Sequence, residues 1–591
     1  MKRSEIDNAM KWNITDVYAS NEDFNKDFEK ASQEISAFES YKDSLTKSST
    51  SLYECLKKRD ELQVLVERVY TYAHLKRDED SRESFYQGLA IKVDGLATKF
   101  GTSISFIEPT LLSMDEQTLN TYMSENNDLT LYKHYFDNLF REKKHVLSIE
   151  TEALLAEVSE IANAPKNIFS MLNNADMKFS TILNENDEEI EVTHGKYVSL
   201  LESANRRVRE DAFNSCYDSY IKQKNTIAST YASSVKKDIF LSRTRKYESS
   251  LHASLSSDNI PVSVYKNLIE TVNKYLPAMH RYISLRKKRL ELNELHMYDL
   301  YTPIVKNADT HVDFDTAKDT ILKGLEPLGS EYLSIVKKGF DERWIDVYEN
   351  EGKRSGAYSW GTYSCHPFVL MNYDNKVGDM FTLAHEMGHA LHSHYASSTQ
   401  PSIYSDYSIF LAEIASTVNE ALLMEYLLKT ETDTSKKEYL LNLFMEDFRN
   451  TLFRQTMFAE FELIAHEMSE RGEPLTSDVL HKLHYDLNVK YYGKDIVVDD
   501  KIGFEWSRIP HFYRPFYVFQ YATGYSASIA ISRKILEDPK SVDSYIEMLK
   551  SGSSEYSIET LKKAGVDMSS PDPICDALDV FESLVTQFES L

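Results

Sequence analysis

The chain has 591 residues and four cysteines, and 67 Lys and Arg against 93 Asp and Glu give a formal net charge of −26. That length buries a sizeable core without staples, and the widely spaced Cys55, Cys216, Cys365 and Cys575 form neither a disulfide framework nor a cysteine zinc knuckle. The acidic balance excludes nucleic-acid binding along a phosphate backbone and docking on an anionic membrane surface, and reads as a solubilising surface.

Taken in chain order, the N-terminal MKRSEIDNAMKWNITDVY carries charges throughout and lacks the apolar centre of a secretory signal. No run approaches the length of a membrane span. A cytoplasmic protein is the expectation. From about residue 20 to 345, apolar residues recur at spacings of three and four, as in ELQVLVERVYTYAHL (61–75) and TEALLAEVSEIANA (151–164). This predicts packed antiparallel helices. With 18 glycines and 14 prolines, breakers are few. The segment 176–197 alternates apolar and polar residues around an acidic turn and predicts a hairpin or a strand and loop. A division into an N-terminal helical domain, 1–195, and the remainder, 196–591, follows from this break. RKKR at 286–289, inside YISLRKKRLELNEL, reads as the solvated face of an amphipathic helix. The stretch 355–375, SGAYSWGTYSCHPFVLMNYDN, predicts a small sheet, with GAYSWGTYS as an edge strand able to pair with an extended peptide. Gly356 and Gly361 would allow close approach there.

The motif AHEMGH follows at 384–389, within VGDMFTLAHEMGHALHSHYAS. Asp379 is placed to cap a helix beginning at Met380. His385 and His389 are i and i+4, so both imidazoles lie on one helix face and can reach one tetrahedral zinc. Glu386 sits beside the first histidine, where a base must be to take a proton from metal-bound water. Gly388 lets another backbone approach the helix. The echo AHEM at 465–468 has Glu470 where a second histidine would stand, so His466 is expected on a solvated helix end without metal.

A zinc hydrolase needs a third protein ligand and an open position. The helical pattern SDYSIFLAEIASTVNEALLMEYLLK (405–429) supplies candidates. Glu413 lies among apolar and small residues and needs a cation, whether a metal or a salt-bridge partner. Glu420, two turns further on the same face, can accept the free N–H of a ligating histidine. His392 is on the metal helix itself and is hard to bring into the same tetrahedron.

AHEMGHALHSHY, followed 24 residues after His389 by the glutamate of FLAEIASTVNE, resembles the M3 metallopeptidases, and among them the oligoendopeptidase F group. KWNITDVY (11–18), RKYESSLHASLSSDNIPVSVYKNLI (245–269), KRSGAYSWGTYSCHPFVLMNY (353–373) and IPHFYRPFYVFQYATGYSAS (509–528) are similar to that family in the same order. The resemblance implies a mainly α, zincin-like fold: a large helical body, a small sheet beside the HExxH helix and a deep substrate channel. It implies one Zn2+ per chain, held by His385, His389 and Glu413, with Glu386 as the catalytic carboxylate, Glu420 behind the ligands and 196–591 as the catalytic domain. It implies cleavage of internal bonds in short oligopeptides.

The last of these segments has its own chemical logic, since an oxyanion needs donors placed in advance. It offers His511, Tyr513, Tyr517, Tyr521 and Tyr525, although aromatic core packing is the alternative in a chain with 38 tyrosines. With the resemblance, His511, Tyr517 and Tyr521 are the expected donors. Two rivals to an endopeptidase are a zinc exopeptidase or dipeptidase of related fold and a non-catalytic helical peptide-binding protein. Glu386 argues against the second, because a structural site has no use for a carboxylate beside its ligands. Oligomeric state is not legible in the sequence.

Overall fold

The expected spacing of apolar residues does produce helices across most of the described residues, 1–305 and 311–591, of this computed structural model. Five helices carry or flank the candidate site residues: α1 (Ser49–Glu79), α2 (Val377–Thr399), α3 (Ile414–Thr430), α4 (Arg454–Glu470) and α5 (Phe519–Glu537). Strands are short: β1 (Thr181–Leu183), β2 (Glu189–Glu191), β3 (Leu295–His296), β4 (Ile345–Asp346), β5 (Tyr358–Trp360), β6 (Phe368–Leu370) and β7 (Ile496–Val497). No helix among the described residues is long and apolar enough to cross a membrane.

The chain folds into two compact units that interleave in sequence. The first comprises Met1–Lys144, Thr310–Tyr426 and Ile531–Gly565, and the second His145–Asp309, Leu427–Ala530 and Val566–Leu591. The sequence boundary at 195/196 lies inside the second unit.

In the first unit, Trp12, Phe24, Leu52, Val69, Leu96 and Tyr132 bury around α1, and the core continues into Phe368 and Leu370 of β6. α1 starts where Ser48 Oγ accepts the Ser51 N–H at 3.1 Å, an N-cap that satisfies one of the helix's orphan donors. The predicted sheet forms as the order β4-β6-β5, with β5 and β6 antiparallel through Ser359↔Val369. β5 is therefore at an edge. Its inner side chains tie it to α1: Tyr358 Oη donates to Asp78 at 2.9 Å and Trp360 Nε1 to Thr71 Oγ1 at 3.1 Å.

In the second unit, the predicted hairpin is β1 paired antiparallel with β2, with Ile182 opposite Ile190. β3 and β7 pair in parallel. The helix Leu276–Arg289 is amphipathic, but RKKR is not a uniformly solvated face. Arg286 is 1% exposed and donates to Glu446 at 3.0 Å and to the Thr302 carbonyl at 2.6 Å. Glu446 also accepts from buried Arg449 at 2.6 Å. A carboxylate 160 residues away decides the burial of Arg286, and periodicity cannot register it.

Two further expectations change. α2 begins at Val377, one turn before the expected Met380 start, and Asp379 is its third residue rather than its cap. Its carboxylate turns back to accept the N–H groups of Lys376 at 3.0 Å and Asp374 at 2.9 Å, which closes the helix entrance from inside. His466, on α4, is 1% exposed and not solvated; its Nδ1 donates to the Glu462 carbonyl at 2.9 Å. Glu470 accepts from Ser250 N and Oγ, both at 2.8 Å. The echo is a packing element, and the candidate metal-holding group among the described residues does not include it.

Candidate active site

The i, i+4 spacing works as expected on α2. His385 Nε2 and His389 Nε2 lie 3.2 Å apart. Glu413, at the junction between the short helix Ile409–Ala412 and α3, brings Oε2 to 3.4 Å from His385 Nε2 and 3.5 Å from His389 Nε2. The three atoms form one triangle with room for a single cation. Glu413 is not fully buried, since 38% of its side chain is exposed, so its carboxylate stays accessible to an incoming ion.

The electrostatics of this triangle are those of a site made for positive charge. Burial opposes a proton on His385, but the bonds to Glu413 and Glu420 outweigh it and raise its pKa to about 10. Hydrogen bonds from His385 and His389 hold the Glu413 carboxyl far below the usual carboxylate range, against the pull of burial. On the other side of the ring, His385 Nδ1 meets Glu420 Oε2 at 3.2 Å, the partner expected from the sequence. Two imidazole nitrogens and a carboxylate oxygen, with the His385 ring oriented by Glu420, fit a divalent metal ion.

Glu386 is 7% exposed yet lines the same cavity as the triangle, a space of about 820 Å³ within the first unit. Burial raises its pKa, and Glu413 and Glu420 add to that, against His385 and His389. A carboxyl raised in this way takes up and gives back protons closer to neutrality than a free glutamate. The cavity is also lined by Ala357, Ser359, Gly361 and Tyr363 of the β5 segment and by Gln63 and Glu67 of α1. Glu67 Oε1 accepts the Tyr363 N–H at 2.9 Å and so fixes where that lining begins. Gly361 does permit close approach, but to α2: an added Cβ would lie 2.5 Å from Ser393 Oγ.

Gly388 explains how α2 and α3 come together. A Cβ there would sit 2.5 Å from Ser416 Cα and 2.6 Å from the Ala415 carbonyl oxygen. Backbone meets backbone at this point, three residues beyond Glu413. Asn419 completes the seam, donating from Nδ2 to the Ala384 carbonyl at 3.0 Å and accepting the Tyr332 hydroxyl at 2.8 Å. Sequence reasoning missed Asn419; an amide on an otherwise apolar helix face was the available signal. Gly388→Ala is expected to destabilise the fold by about 1–3 kcal/mol, the usual range for overpacking, and to weaken metal retention by pushing Glu413 away. A denaturant melt and metal content after dialysis check it. A variant as stable and as metal-replete as wild type would contradict this packing.

His392 takes no part in the triangle. It is 1% exposed and stacks on Tyr407 at a centroid distance of 3.6 Å, and burial pushes its pKa down to about 3.

The C-terminal candidates lie in the second unit. His511 is exposed, and its ring stands near-parallel to Tyr517 at 5.8 Å and edge-on to Tyr521 at 6.0 Å. Tyr517 and Tyr521 meet edge-on at 5.5 Å. The three expected donors are thus one cluster, although Tyr517 precedes α5 rather than lying on it. Partial desolvation of the ring, with Arg454 and Arg514 nearby, lowers the pKa of His511 and favours the neutral imidazole, which offers an N–H. Tyr513 instead packs inward, its hydroxyl paired with Thr230 Oγ1 at 2.7 Å.

An HExxH helix, a glutamate just before the following helix and a carboxylate beside this candidate metal triangle, on a mainly helical body, are the features of a metallopeptidase. Comparison with known proteins places it further. The family model described as Peptidase family M3 matches residues 199–580, and that described as Oligopeptidase F matches 110–179. The chain belongs to peptidase family M3. It is 50% identical to oligopeptidase PepF of Bacillus subtilis, over 100% of this chain and 88% of that one. It is 42% identical to the group B oligopeptidase PepB of Streptococcus agalactiae, over 100% of this chain and 98% of that one. The crystal structure of oligoendopeptidase-F from Enterococcus faecium superposes with a TM-score of 0.75 at 39% identity, covering 96% of this chain and 99% of that chain.

Proposed function

We propose that the protein is a cytoplasmic zinc-dependent endopeptidase that hydrolyses internal bonds of short oligopeptides, with one zinc per chain held by His385, His389 and Glu413. The observation that carries this reading is the triangle itself. Its sides of 3.2, 3.4 and 3.5 Å lie within about 0.1 Å of the separation of about 3.3–3.6 Å between ligand atoms around a tetrahedral zinc with bonds of about 2.0–2.2 Å. The names of the oligopeptidase relatives support the substrate class. Zinc bound there would polarise the scissile carbonyl and make water acidic enough to lose a proton near neutral pH.

The chain's own groups do the rest. Glu386 takes the proton from the attacking water, and later delivers it to the leaving amine. Glu420 holds the Nδ1 proton of His385, so that Nε2 keeps its lone pair for the metal. His511, Tyr517 and Tyr521 donate N–H and O–H bonds to the oxyanion. The outer edge of β5 offers main-chain groups to an extended peptide, a mode that accepts almost any sequence. Water adds across the amide, giving one carboxylate and one amine. Every residue given a role lies within 196–591, the proposed catalytic domain.

Removing metal tests the reading. Exhaustive chelation is expected to abolish hydrolysis, and adding zinc back should restore it in proportion, saturating at about one zinc per chain. Undiminished hydrolysis by metal-free protein would rule the reading out.

A further inference from the structure

The oxyanion donors sit around a turn whose conformation its own residues do not favour. Phe516 has φ of 52°. A bulky side chain is disfavoured in that left-handed region because Cβ crowds the backbone carbonyl. Pro515 and Phe516 occupy the centre of the turn, where a positive φ after proline ordinarily calls for glycine or asparagine. Something outside the turn must hold it.

The holding group is Glu462 on α4, four residues before His466. Glu462 is 0% exposed, and its Oε1 accepts the Phe516 N–H at 2.7 Å. Ser254 Oγ donates to the neighbouring Pro515 carbonyl at 2.8 Å. The Phe516 ring packs against His466 at 4.5 Å and Tyr265 at 5.6 Å. Glu462 Oε2 has no hydrogen-bond partner among the described residues, and no cation contributes to the balance of its charge. Burial keeps its pKa far above the carboxylate range, with Asp238 adding and the Phe516 N–H opposing. The one carboxyl oxygen with a partner is spent on the turn. An unpaired carboxyl at this depth is unfavourable, and ordinary core packing would use an apolar residue.

We infer that Glu462 is a positioning residue for catalysis: by holding the Phe516 N–H it fixes the turn 514–517, and through the turn the placement of Tyr517 and Tyr521. The inference rests on the donor roles proposed above for His511, Tyr517 and Tyr521. Glutamine preserves the acceptor and the side-chain volume. Leucine preserves the volume and removes the acceptor. Aspartate shortens the reach by one methylene.

The test is kcat and KM on an end-capped, internally quenched peptide with zinc-loaded full-length variants. Glu462→Gln should stay within about twofold of wild type, whereas Glu462→Leu should lower kcat by about tenfold or more with KM and metal content nearly unchanged. Tyr521→Phe should itself lower kcat, and adding Glu462→Leu to it should cost less than about threefold more, because both act through one group. Should the leucine variant fail to fold, Glu462→Asp is expected to show the same selective loss of kcat. Wild-type kcat in Glu462→Leu, an equal loss in Glu462→Gln, or fully multiplicative losses in the double variant would each overturn the inference while leaving the donor roles standing. Wild-type kcat in His511→Ala, Tyr517→Phe and Tyr521→Phe alike would remove the donor roles themselves, and the inference with them.

Discussion

Glu386→Gln is expected to keep its zinc and lose about 100- to 10,000-fold in kcat, the range for removing a positioned general acid–base. The side chain touches the cavity but stands outside the candidate ligand triangle, so the amide is expected to replace it without disturbing His385, His389 or Glu413. Glutamine matches the volume of a side chain that is 7% exposed, which keeps the packing intact. What is lost is the capacity to hold a proton between water and amine. Burial has raised the pKa of Glu386, so it accepts that proton more readily than a free glutamate and releases it without a large penalty. KM should change little, because the carboxylate is not a substrate clamp. Zinc content by atomic absorption and kcat on one peptide settle both halves. A zinc-loaded variant with wild-type kcat would remove Glu386 from the chemistry.

His389→Ala is expected to lose metal as well as activity. With one of the three proposed ligands gone, affinity should fall by more than about 100-fold, since even loss of an outer partner of a ligand can reach that range. The fold should survive: His389 is half-buried and part of a site rather than of the core around α1. The same reasoning holds for Glu413, whose carboxyl is kept ionised by the two histidines. Metal retained at one ion per chain after dialysis of His389→Ala would contradict the ligand assignment.

The parts of this site that lie within one or two helical turns were legible in the sequence. Spacing alone places His385 and His389 on one face, and the apolar setting of Glu413 signals a carboxylate in need of a cation. The alternation in 176–197 and the composition of 355–375 pointed to the hairpin and the small sheet. What was not legible depends on partners distant in sequence. Arg286 looks like a surface cation until Glu446 is placed against it. His466 looks solvated until the helix that carries it is packed. β5 is held by Asp78 and Thr71, about 280 residues earlier in the chain. Phe516 shows the limit most sharply: positive φ is ordinarily announced by glycine, and here the turn is imposed by a tertiary bond to Glu462 instead.

The central claim is that this metallopeptidase cuts within short peptides. The most direct measurement is cleavage of an end-capped, internally quenched peptide by the zinc-loaded protein, with products mapped by mass. Fluorescence release and two fragments from a cut at an internal bond are the expected result. No cleavage of any capped peptide across a varied set, together with release of terminal residues from uncapped ones, would contradict it.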